Sequence, residues 1–100
     1  MREINISLRA SKRLDNLLKY LELEWSVKVK REFIEKIDKA LNQIQELPDS
    51  FPKSDEVKNL HKCVVTKQTS MYYRYTSKTI TIVAIIDNRY SDNRKKKEVK

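Results

Sequence analysis

Arg89 follows Asp87-Asn88 at the point where an apolar run, Ile82 to Ile86, ends. A planar guanidinium emerging there can hold a phosphate through two hydrogen bonds, a geometry that lysine does not reproduce. Other cations accumulate around it in sequence: Lys67, Arg74, Arg94 and Lys95. The accumulation is one-sided. Residues 1–60 carry 12 Lys/Arg against 11 Asp/Glu, whereas residues 61–100 carry 10 against 3. Of the net charge of +8, therefore, +7 belongs to the C-terminal 40 residues. Clustered cations raise the local concentration of an acidic partner, whether nucleic acid or an acidic protein segment.

Several chemistries are excluded by residue type alone. The chain has no glycine, so it has no glycine-rich phosphate loop. One histidine, His61, and one cysteine, Cys63, make neither a standard zinc site nor an internal disulfide. No metal, cofactor, or serine or cysteine triad is expected. A lone cysteine fits a reducing compartment, and neither a signal peptide nor a membrane-spanning run is legible, so a cytoplasmic location is expected.

These side chains need a scaffold, and the hydrophobic pattern supplies one. Ile4 and Ile6 alternate with polar residues over Glu3–Leu8, as in a short strand. Ser7 can cap a following helix in which Ala10, Leu14, Leu17, Leu18, Leu21 and Trp25 form one apolar stripe. Ser26 can cap a second helix, with Val29, Phe33, Ile37, Ala40, Leu41, Ile44 and Leu47 as its stripe, ending at Pro48. Residues 48–59 hold both prolines and many turn formers and read as an irregular connection. From residue 60 the pattern becomes extended, over 60–66, 69–75 and 79–86, with breaks at Lys67-Gln68 and Ser77-Lys78. The third of these stretches is apolar at nearly every position, which places it inside the sheet with both faces covered.

The predicted fold is α+β in the order β-α-α-β-β-β, a helical hairpin packed on a twisted antiparallel sheet. Residues 1–92 form a single domain, and 93–100 are expected to be a basic tail outside the core. With 36% charged residues there is no material for a second core. Met71, Tyr73 and Tyr75 share one face of their strand and form an apolar stripe, either core or partner-binding.

The two C-terminal motifs are more specific than this element order. Val65-Thr66-Lys67-Gln68-Thr69, then Tyr72-Tyr73-Arg74-Tyr75, then Ile85-Ile86-Asp87-Asn88-Arg89 resemble a branch of the RelE/ParE toxins with a Thr-Lys-Gln-Thr turn and an Asp-Asn-Arg strand end. Tyr20-Leu21 and the Leu47-Pro48 helix end are similar to that family as well. The resemblance covers about residues 3–92 and implies the toxin of a bacterial type II toxin–antitoxin pair (a plasmid stabilisation protein). It would be neutralised by a cognate antitoxin and reach operator DNA only through that antitoxin.

Two targets are implied. ParE-like members bind DNA gyrase and trap its cleavage complex, which needs a docking surface and cations. Lys67, Arg74, Arg89, Arg94 and Lys95 are the candidates for that contact, and Met71, Tyr73 and Tyr75 for the antitoxin. RelE-like members cleave mRNA in the ribosome, which requires proton transfer and stabilisation of phosphorane charge. Here Arg89 falls at their last-strand arginine, but Ser70 or Met71 occupies the middle-strand arginine position and Lys95 stands in place of the C-terminal tyrosine. His61, Asp87 and Tyr90 could imitate an alternative set beside Arg89. Gyrase poisoning is therefore the leading expectation, mRNA cleavage the alternative, and an inactive relative that serves only as antitoxin partner or co-repressor the third.

Overall fold

The computed structural model describes residues 2–99. Met1 and Lys100, the outer ends of the expected domain and tail, lie outside them. The elements are β1 (Glu3–Ile6), α1 (Leu8–Glu24), α2 (Val27–Glu46), β2 (His61–Val64), β3 (Thr69–Tyr75), β4 (Thr79–Asp87) and α3 (Asp92–Glu98). This is the predicted α+β order with one helix added.

The sheet runs β1-β4-β3-β2. β2, β3 and β4 form the expected antiparallel meander, but β1 pairs with β4 in parallel, Ile4 opposite Ile80 and Ile6 opposite Ile82. The sheet is mixed, which corrects the all-antiparallel expectation. The connection explains it. The helical hairpin and the stretch 47–60 bring the chain back to the end of the sheet where β1 began, so β2 runs in the direction of β1. Two reversals later, β4 does so too.

β4 is covered on both faces, as its composition requires. Ile80, Ile82 and Ile85 join Met71, Tyr73 and Cys63 in a core beneath Phe33, Ile37, Ala40 and Ile44 of α2 and Ala10 of α1. Ala84 and Ile86 face the other way, with Tyr72, Val57 and Leu60. The change of face comes from a bulge: Tyr72 pairs with Ala84 and Tyr73 with Ile82, leaving Val83 as the extra residue.

α1 sits less deeply than its stripe predicts. Only Ala10 is buried, Leu14, Leu17, Leu18 and Leu21 are half-buried, and Trp25 is 68% exposed. Tyr20, Leu23 and Val27 are exposed beside it at the tip of the hairpin.

Without glycine, the tight turns are closed by threonine. In Thr66-Lys67-Gln68-Thr69 and Thr76-Ser77-Lys78-Thr79 the first threonine Oγ1 accepts from the backbone N–H groups two and three residues on. Among the described residues only Asn59 has positive φ, at 67°, a conformation that asparagine tolerates better than most residues.

Both predicted caps form: Ser7 Oγ accepts from Ala10 N–H and Ser26 Oγ from Val29 N–H, each at 3.1 Å. Ser7 does more. Its Oγ also donates to the Val83 carbonyl at 2.8 Å, and its N–H donates to the Ile82 carbonyl at 3.0 Å. One residue thus ends β1, starts α1 and holds the bulge of β4. Ser26→Ala is expected to cost about 1 kcal/mol in denaturant unfolding, as capping serines do. Ser7→Ala is expected to cost more, about 2 kcal/mol, because the Val83 carbonyl also loses a donor. Equal losses would show that the link to the bulge contributes nothing.

Candidate functional site

Asp87, at the end of β4, accepts three hydrogen bonds from the Arg89 side chain and one from the Arg89 backbone N–H. The closest, Nη2 to Oδ2, is 2.6 Å. These bonds hold the Asp87 carboxyl down at about pKa 2 and push the Arg89 guanidinium up from its usual value. The Arg89 side chain is still 72% exposed. It is a cation presented to solvent with its orientation set and its charge partly compensated by a neighbour.

Asn88 between them is a clamp. Its N–H donates to the Gln68 carbonyl at 2.8 Å and its Nδ2 to the Lys67 carbonyl at 3.1 Å, while its Oδ1 accepts from buried Ser70 Oγ at 2.6 Å. The Thr-Lys-Gln-Thr turn and the Asp-Asn-Arg strand end, 18 residues or more apart in sequence, are thereby one structural unit. Lys67 is exposed on that turn.

Tyr90 comes next and gathers cations. Arg13 Nη2 donates to its hydroxyl at 2.9 Å, and the Arg94 guanidinium lies 3.7 Å from the ring centre. Arg9, one turn before Arg13 on α1, donates to the Lys97 carbonyl of α3 at 2.6 Å. Sequence reasoning missed Arg9 and Arg13. Their spacing of four puts both on one helix face, but nothing in the sequence reveals that this face meets the end of β4.

α3 is the second surprise. Residues 93–100 are expected to be a basic tail outside the core, yet Asp92–Glu98 is a helix capped by Ser91 Oγ on Arg94 N–H. Lys95, a candidate target contact, is only 5% exposed and reaches Glu56 Oε1 at 3.4 Å. The same oxygen binds Lys62 Nζ at 3.0 Å. Val99 packs against the cluster that holds Tyr72, whose buried hydroxyl has no hydrogen-bond partner among the described residues. Lys95 therefore anchors α3 and is removed from the surface set, while Arg94 beside it stays exposed.

The remaining candidates separate. His61 is 9% exposed, its Nδ1 is 2.7 Å from the Phe51 carbonyl, and its ring stacks on Tyr73 with centres 5.2 Å apart. It pairs with Tyr73, whereas Asp87 pairs with Thr69. Four residues of strand at about 3.3 Å each separate them lengthwise, with two strand spacings of about 4.8 Å across. His61 is not part of a set with Asp87 and Tyr90. Arg74, exposed and opposite Thr81, lies toward the far end of β3 as well.

Met71 and Tyr73 are buried core residues, the Tyr73 hydroxyl donating to the Pro48 carbonyl at 2.6 Å. This corrects their reading as a partner-binding stripe. Of the three, only Tyr75 retains exposure, hydrogen-bonded to Asp49 under the Arg2 guanidinium. Cys63 is buried and its thiol is pushed up to about 11, so it is no nucleophile at neutral pH.

The apolar surface available to a partner is elsewhere. A groove of about 800 Å³ runs between the helical hairpin and the strand ends. Leu17, Tyr20, Leu21, Trp25, Val29 and Phe33 line it, and Arg13, Lys36, Arg89, Glu32 and Asp87 stand at its polar positions. Sequence reasoning assigned most of these apolar residues to the core. No cluster of metal-ligating side chains exists among the described residues, and no described helix is long and apolar enough to cross a membrane.

Glu56 gives this arrangement an acid limit. Its carboxyl is lowered to about pKa 2, mainly by the Ser54 hydroxyl and then by Lys62. A carboxyl with a lowered folded-state pKa stabilises the fold above the ordinary carboxylate range, and the contribution disappears as pH falls toward the folded value. Asp87 acts in the same direction. The melting temperature should therefore fall between about pH 4.5 and 2. Glu56→Gln should flatten part of that fall and release the helical signal of α3 at neutral pH. A native-like acid profile for Glu56→Gln would remove Glu56 as the anchor.

Residues 4–90 match the family model described as the ParE toxin of the type II toxin–antitoxin system, parDE. Among solved structures the chain is similar to one titled "Chromosomal ParDE TA system from P. aeruginosa", with a TM-score of 0.73 and 16% identity over 87% of this chain and 96% of that one. At that identity the likeness is one of fold. No curated protein sequence matches.

Proposed function

The chain belongs to the ParE toxin family of type II toxin–antitoxin systems, and from that membership we propose that it arrests growth in the cytoplasm by binding DNA gyrase and holding its cleavage complex. The observation that carries this reading over mRNA cleavage is that the candidate nuclease residues are tied to structural partners. His61 is committed to the Phe51 carbonyl and to Tyr73. Lys95 is committed to Glu56, and the Asp87 carboxylate to Arg89. Neither His61 nor Asp87, the expected bases, is free to serve Tyr90, whereas general acid–base cleavage needs a base within hydrogen-bond reach. What the surface offers is a groove and exposed cations, Lys67, Arg89 and Arg94, which suit a binding function.

Family membership implies an antitoxin as partner, and the groove is the surface we assign to it. An amphipathic acidic segment fits best: its apolar side chains would cover Trp25, Tyr20 and Leu21, and its carboxylates would meet Arg13, Lys36 and Arg89. Operator DNA would be contacted by the antitoxin of the complex.

Expression of the chain alone should stop growth and raise gyrase-linked DNA breaks, with mRNA 5′ ends unchanged. New 5′ ends within codons, without breaks, would instead establish the nuclease, and unimpaired growth would leave only a co-repressor role. For the groove, Trp25→Glu should weaken antitoxin binding by about tenfold or more, the loss typical of a central aromatic contact, with the melting temperature of the free chain nearly unchanged. Unaltered affinity measured by calorimetry would move the antitoxin elsewhere.

A further inference from the structure

The cations around Tyr90 do not behave alike. Arg89 is chelated by Asp87. Among the described residues neither Arg13 nor Arg94 is paired with a carboxylate, yet both are held in place by the same tyrosine. Arg13 is fixed at the hydroxyl, its Cζ 5.5 Å from the ring centre, and Arg94 lies over the ring at 3.7 Å. They are 81 residues apart in the chain, on α1 and α3, and α3 is tied down by Lys95 and by the Arg9 bond to the Lys97 carbonyl. Two guanidinium groups outside any carboxylate ion pair, preorganised on one aromatic spacer at a surface flanked by exposed Arg9, Lys96 and Lys97, form an anion site.

Resting on the gyrase reading, we propose that Arg13 and Arg94, spaced by Tyr90, grip the phosphodiester backbone of duplex DNA in the cleavage complex, so that the toxin touches the DNA as well as the enzyme. The tyrosine decides between backbone and base. A nucleobase platform needs an open aromatic face, and Arg94 covers one face of Tyr90 while Arg13 occupies its hydroxyl. Because Arg13 donates to that hydroxyl, the phenolic proton remains free for a phosphate oxygen. Contacts of this kind carry no sequence information, and without a stacking surface single-stranded RNA gains little.

The test uses the full-length chain freed of antitoxin, a fluorescent duplex of about 20 base pairs long enough to span several phosphates, and single-stranded RNA of the same length, by anisotropy across a salt series. The native chain should bind the duplex more tightly than the RNA. The double variant Arg13→Gln/Arg94→Gln should reduce the slope of log K against log salt by about 2, one for each lost phosphate contact. Lys28→Gln/Lys39→Gln, on the exposed side of α2, should leave the slope nearly unchanged, and thermal melting confirms that each variant is folded. A native chain that fails to bind duplex, an unchanged slope in the arginine variant, an equal drop in the lysine variant, or a loss confined to RNA each overturns the proposal. With purified gyrase, the arginine variant should lower toxin-dependent breaks about tenfold or more. Native levels of breakage by that variant would sink this inference and leave the gyrase reading intact. No breakage by the native chain would sink the gyrase reading itself and, with it, the placement in a cleavage complex.

Discussion

Nearly everything in this fold answers to the burial of β4 on both faces. Ile80, Ile82 and Ile85 require a cover on one side, and α1 and α2 provide it. Ala84 and Ile86 require another, built from Val57, Leu60, Tyr72 and, at its margin, Val99, the C-cap of α3. A strand apolar at almost every position leaves no solvated alternative. The bulge at Val83 is what divides these side chains between the two covers, since without an extra residue Ile85 would point to the same side as Val83 rather than with Ile82. Ser7 binds the carbonyls of both Ile82 and Val83, so the start of α1 is fixed to that local irregularity.

The candidate site follows from the way β4 ends. Its last residue, Asp87, orients Arg89, and Asn88 secures the Thr66–Thr69 turn. Tyr90 then lies where α1 and α3 converge. Asp87, Asn88 and Tyr90 each hydrogen-bond a neighbour's polar group, while Arg89 and Arg94 stay exposed, which is how a small domain can hold several cations close together without a ligand. The cost of clustering like charges is reduced by Asp87 at Arg89 and by the ring beneath Arg94. The groove opens along the same edge, so Arg13 and Arg89 belong to both the apolar cleft and the cationic surface. A partner filling the cleft would cover part of that surface, a simple physical route to neutralisation.

Much of the scaffold was legible from residue order: two helices with serine caps, the proline stop at Pro48, three extended segments and the interior position of the last. These are local consequences of periodicity, capping and backbone restriction. The two C-terminal motifs also stood out, and the family match over residues 4–90 agrees with them. Their contact with one another did not, because a hydrogen bond from Asn88 to Lys67 depends on the register of β3 against β4.

Where the sequence stops short, the deciding quantity is which surface faces which, and no window of residues contains it. Arg94-Lys95-Lys96-Lys97 reads as a solvated run, yet Glu56, 39 residues earlier, draws Lys95 inward and turns the run into a packed helix. Met71 and Tyr73 alternate like a half-exposed strand and are core because α2 lies over them. Trp25 completes a helical stripe and remains exposed because it sits at the tip of the hairpin, on the open side of the groove. Residue type and spacing determined the elements from β1 to β4, the charge and the family. Tertiary structure alone decided which cations are free, which are paired, and where the apolar surface is open, because ion pairing and burial are set by approach across the fold rather than along the chain.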